Sequence, residues 1–177
     1  KKEKDIDDSD KNDHRVEGLI KMMAIDIVNI FDLDKEWVYD TGCGRHMVSY
    51  VKTQWCCQLE VPAPRLLFMT GNGAVKSSKC LPARLPVGGS HDSFEILPYL
   101  MPEESPSALS AGLNARTAGI GERWVPWKTR PLIFTMSGEV TILDVRANAP
   151  QLRNTSESAP NVDRLLKECG ACLQDDG

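Results

Sequence analysis

At 177 residues the chain has room for one domain with flanking segments, and not for two full domains. Its 41% apolar and 26% charged residues fit a globular protein, and its formal charge of -4, without any basic stretch, argues against a nucleic-acid partner. No apolar run approaches the length of a membrane span, so no membrane partner is expected either.

Residues 1–17 are nearly all charged or polar (Asp5, Asp7, Asp8, Asp10, Asp13) and read as a solvated polar linker. No apolar core follows the opening lysines, which excludes a signal peptide, and the missing initiator Met suggests a piece of a longer chain. Residues 18–35 form an ambiguous rim segment. Leu19, Met23, Ile27, Ile30 and Phe31 fit a helical face, whereas Ile25 and Ile27 beside Asp26 and Asn29 fit an edge strand.

From 36 to 150 the punctuation is that of an all-β domain, short apolar runs separated by Gly, Pro, Asn and Ser. Trp37, Val38 and Tyr39 favour a strand, which ends in Asp40, Thr41 and Gly42. Residues 47–51 form a short strand. Residues 66–69 and 74–76 flank Thr70, Gly71, Asn72 and Gly73, a hairpin whose turn residues tolerate positive φ. Residues 81–87 and 94–97 suggest a second hairpin, with Pro82 and Pro86 making its first strand an edge. Residues 132–136 and 139–143 flank Ser137 and Gly138 as a third, with a two-residue turn. Residues 151–177 read as a linker, with 162–168 as a candidate short helix.

The six cysteines, without a secretory signal, are read as reduced and intracellular. Cys169 and Cys172 have the spacing of a metal or redox pair, but no second pair or histidine lies nearby, so no metal and no cofactor are expected.

The chemistry centres on Asp40, Thr41 and Gly42. Asp40 supplies a carboxylate at the mouth of a strand, Thr41 a hydroxyl that can fix its neighbours, and Gly42 a backbone that can approach closely. A bland turn of the same composition is the competing reading. Acid catalysis of peptide hydrolysis needs two carboxyls sharing one proton, and no second Asp-Thr-Gly or Asp-Ser-Gly is present. The second acid would therefore come from another copy on a two-fold axis, which makes the homodimer obligatory. Cys43 with His46 is a rival thiol–imidazole pair lacking an orienting third group, and His46 reads better as structural. Trp124 and Trp127 read as packing anchors.

The segment from Trp37 through Asp40, Thr41, Gly42, Cys43, Gly44, Arg45 and His46 to Met47 resembles the protease of copia-type retrotransposon polyproteins. The likeness continues in Phe68 to Gly73, in Leu109, Ser110, Ala111 and Gly112, and in the hairpin from 131 to 144, with the blocks in family order. The resemblance implies a small closed retropepsin-like β-barrel, active as a homodimer, with Asp40 catalytic in each copy and Thr41 bonding across the axis. It implies a polyprotein peptide as substrate, a location in the cytoplasm or in virus-like particles there, and residues 109–112 packed behind the catalytic loop. It also implies a flap over the substrate, for which Thr70, Gly71, Asn72 and Gly73 are the candidates and Gly88 with Gly89 a second tip. The chain departs from the family at Cys43, where Ala is usual, at Glu103 and Glu104, and after Leu113, where helix signals are poor.

Overall fold

The computed structural model describes residues 27–70, 73–88, 92–102, 104–124, 130–154, 156 and 158–159. The polar linker, the candidate helix at 162–168 and the Cys169–Cys172 pair lie outside them.

The described chain is mostly β. It opens with β1 (Val28–Asn29) and a one-turn helix, Ile30–Leu33, in which the Asn29 side chain accepts from the Phe31 amide. Val28, Ile30 and Leu33 are buried, so this part of the expected rim segment belongs to the core. In β2 (Glu36–Asp40) burial alternates with period two. Trp37 and Tyr39 face inward, and Glu36, Val38 and Asp40 share the other face. The Trp37 indole N–H donates to the carbonyls of Ile30 at 3.1 Å and Asp34 at 3.2 Å, which ties the helix to the strand.

β3 (Met47–Ser49) is shorter than predicted, because the chain turns helical at Tyr50–Thr53 and then 3₁₀ over Gln54–Leu59. β4 (Val61–Thr70) and β5 (Gly73–Cys80) form a long antiparallel hairpin in which Thr70 pairs with Gly73. β6 (Ala83–Val87) and β7 (Asp92–Ile96) form the second. Here the sequence reading needs correction, since β6 is the central strand of a three-stranded sheet and not an edge. β1 pairs only with Ala83 and Arg84, so Pro86 lies beyond that ladder, where its missing N–H costs nothing.

β8 (Tyr99–Met101) and β9 (Ala108–Ser110) are buried throughout, and the helix Ala111–Ala118 follows. That helix corrects the expectation of poor helix content after Leu113. Ser110 caps its start, accepting from the Leu113 amide at 3.1 Å, and Gly119 ends it at φ 63. β10 (Gly121–Arg123), β11 (Leu132–Phe134) and β12 (Val140–Ile142) form an antiparallel sheet. The β11–β12 turn holds three residues rather than two. The Thr135 amide donates to the Glu139 carbonyl and the Gly138 amide to the Thr135 carbonyl, with Gly138 at φ 88. That is a type I turn closed by a glycine bulge.

β13 (Asp144–Arg146) and β14 (Ala149–Arg153) return the chain to β2, and β15 (Ser158–Ala159) pairs with β12. The expected domain end at 150 thus falls inside β14, whose Leu152 is buried opposite Trp37. The large sheet runs in the order β13, β14, β2, β9, β3, β8, β5, β4. Among the described residues no pairing joins its two outer strands. One core, with Trp37, Tyr39, Leu109, Ile133, Leu143 and Leu152 in it, spans the sheets.

Candidate functional site

Asp40 ends the strand that lies between β14 and β9, so the middle of the large sheet sets its position. β2 and β9 run parallel, with Val38 opposite Ala108, Tyr39 opposite Leu109 and Asp40 opposite Ser110. The Leu109-Ser110-Ala111-Gly112 segment therefore passes directly beside the acid. Asp40 Oδ1 accepts from the Gly42 amide at 2.7 Å. A Cβ on Gly42 would come within 3.3 Å of that oxygen, tighter than ordinary contact, so glycine suits the loop. Thr41 is exposed, and within a single chain its hydroxyl makes no hydrogen bond to the described residues.

Asp40 and Thr41 open onto a cleft of about 360 Å³ shared with Tyr39, Glu122, Trp124 and Pro131. Burial pushes the Tyr39 phenol up to about 12, with an opposing contribution from the Asn114 amide and a further rise from the Glu122 carboxylate. Glu122 is itself raised by burial. The Tyr39 hydroxyl and the Asn114 amide are buried neighbours, yet neither completes a hydrogen bond of good geometry. This polar spot inside an apolar core escaped the sequence reading, because only the fold brings 39, 114 and 122 together.

His46 is fully buried, and its Nδ1 accepts from the Ser110 amide at 3.1 Å. Its proton is therefore on Nε2. Burial, helped by the neighbouring Arg45 charge, pulls the ring down to about 3. An unfolded chain takes up that proton near pH 6.5, so between those values the unfolded state holds more protons than the folded one. The stability tied to the neutral ring is complete above about pH 6.5, falls as pH drops and levels off below about 3. At about 1.4 kcal/mol per pH unit the loss is on the order of 5 kcal/mol. Urea midpoints measured from pH 7 to pH 4 should fall more steeply in the wild type than in His46→Asn. Parallel slopes would contradict this.

Cys43 and His46 are not brought together as a catalytic pair. The Cys43 thiol donates to the Arg45 carbonyl at 2.7 Å, burial raises it, and the imidazole acceptor is already taken by Ser110. A thiolate is disfavoured on both counts.

Of the flap candidates, Thr70 and Gly73 close the β4–β5 hairpin. The Thr70 hydroxyl donates to the Gly73 carbonyl at 2.9 Å, and Gly73 sits at φ 118. Gly71 and Asn72 lie outside the described residues. The second candidate tip is anchored, since the Gly88 amide donates to Thr141 Oγ1 at 2.6 Å and a Cβ there would strike Glu139. Gly89 is not among the described residues. Among the described residues the β4–β5 hairpin instead lies at one edge of the large sheet and exposes Leu67 and Met69, at 57% and 78%.

Among the described residues no group of three or more His, Cys, Asp or Glu is arranged to hold a metal, and no helix is long and apolar enough to cross a membrane. Comparison of the chain with family models, with curated proteins and with solved structures finds no match in any of the three.

Proposed function

We propose that the chain is an aspartic endopeptidase of the copia-type retrotransposon class, with a retropepsin-like fold, working as a homodimer on polyprotein substrates. The observation that carries this reading is the parallel pairing that sets Asp40 beside Ser110, with the Gly42 amide on its carboxylate. An acid is thus held at a strand end, at the mouth of a cleft, with a free hydroxyl next to it. Two copies related by a two-fold axis through this point would bring the acids together without any further residue. One, ionised, takes a proton from water as the water attacks the scissile carbonyl. The other, protonated, donates to the carbonyl oxygen. The exposed Thr41 would bond across the axis, and the β4–β5 hairpin would close over the peptide.

A second reading keeps the fold and drops the chemistry, leaving a dimerisation scaffold. It is favoured by the contact between Asp40 and Gly42, two residues apart, which also suits an ordinary Asp turn. The two readings separate when the chain is incubated at pH 5 with a pool of proteome-derived peptides and new termini are read by mass spectrometry, beside Asp40→Asn. The protease yields cuts that the variant lacks; the scaffold yields none in either.

A further inference from the structure

His46 lies just beyond the acid loop and plays no part in the chemistry above. Its carbonyl accepts from the Tyr99 amide at 2.9 Å, and its ring accepts from the Ser110 amide at 3.1 Å. Ser110 is the register partner of Asp40, and its hydroxyl starts the helix Ala111–Ala118. β3 and β9 pair directly only through Met47 and Ala108. The imidazole is therefore a second tie between them, at the level of the acid.

We infer that His46 is a positioning residue for Asp40. By accepting the Ser110 amide at Nδ1 it holds the start of β3, and with it the end of the loop that leaves Asp40, against β9 at the level of the Asp40 carboxylate, and so fixes the place where that carboxylate meets its copy. This role presupposes that Asp40 is the catalytic acid. Histidine suits the task because the imidazole is short and rigid and presents an acceptor at a fixed place. Burial keeps it neutral down to about pH 3, so the tie persists through the acid range in which a shared-proton pair works, where an exposed imidazole would already be charged. The ring shares a cavity of about 30 Å³ with Arg45, Cys80, Glu95 and Tyr99, and the following helix meets that cavity with Leu113 and Thr117. Of these groups Arg45 is the one whose charge acts on the ring, and it acts against protonation.

Two polar substitutions separate position from mere polarity. His46→Asn keeps an oxygen near the place of Nδ1, whereas His46→Gln carries it further out, towards the place of Nε2. On a peptide found in the pool above, His46→Asn should keep kcat within about threefold, while His46→Gln loses roughly a hundredfold in kcat with KM nearly unchanged. Amide hydrogen exchange at Ser110 and Gly42 should quicken in His46→Gln and stay slow in His46→Asn. Equal kcat and equal exchange in the two variants would overturn the inference. Should His46→Gln fail to fold, nitrogen NMR of the wild-type ring decides. A neutral Nε2–H tautomer from pH 7 to pH 4 supports the role, and an Nδ1–H tautomer or a titration near 6.5 overturns it. An exchange contrast in a chain that cleaves no peptide would contradict the protease reading, and the catalytic role of His46 with it, and leave only the structural His46–Ser110 tie standing.

Discussion

Asp40→Asn should abolish peptide cleavage, by about a thousandfold or more, while leaving fold and dimer in place. The amide is nearly isosteric with the carboxylate, and its oxygen can still accept from the Gly42 amide, so the local turn survives. What it cannot do is take a proton from water. That loss falls on the transition state, so kcat should drop with little change in KM. Cys43→Ala should leave cleavage intact, because the thiol proton is committed to the Arg45 carbonyl and the imidazole to Ser110. If Cys43→Ala were dead and Asp40→Asn active, the nucleophile would be sulfur and the acid a turn residue.

Trp37→Ala is expected to be the most destabilising single change in the chain. The side chain is completely buried, in the strand that carries Asp40. Truncating a buried tryptophan costs about 3–5 kcal/mol in transfer and cavity terms. It also strips a donor from the Ile30 and Asp34 carbonyls. Against a typical total of about 5–15 kcal/mol, that loss would leave much of the population unfolded or close to it. Trp37→Phe, which refills most of the space and loses only the N–H, should cost about 1–2 kcal/mol. Urea denaturation of the two variants checks both figures. An Ala variant within about 1 kcal/mol of the wild type would mean that Trp37 does not sit where the core is built.

β2 was legible as a strand because Trp37, Val38 and Tyr39 form an aromatic and β-branched run that stops at Asp40, Thr41 and Gly42. The β4–β5 hairpin was legible because its turn residues interrupt two apolar runs. Elements that depend on distant partners were not. Ala149–Arg153 contains a proline and one large apolar residue, and becomes a strand only because β2 offers it an edge. The helix Ala111–Ala118 contains a glycine and a threonine, and draws its definition from the Ser110 and Gly119 caps rather than from an apolar stripe. β6 is central despite Pro86 because β1 is too short to reach that residue. The candidate site divides in the same way. Asp40, Thr41 and Gly42 stand together in sequence. The Ser110 amide on His46, and the meeting of Tyr39, Asn114 and Glu122, arise from sheet order and leave no trace in local pattern.

On the proposed reading, acid chemistry and stability pull against each other. A shared-proton pair favours acid, yet the neutral His46 costs stability as pH falls below about 6.5. Cleavage should therefore rise towards acid and then collapse as the fold is lost, with the collapse set by denaturation rather than by the acid pair.

The central claim, that two copies of Asp40 make one site, is tested most directly by mixing. Wild-type chain held at fixed concentration is exchanged with increasing Asp40→Asn chain under conditions where dimers re-form, and cleavage is followed. Cleavage should fall towards zero as mixed dimers, each with a single acid, replace the wild-type pairs. Cleavage that stays proportional to the wild-type chain however much variant is added would mean that each chain acts alone, and would contradict the account.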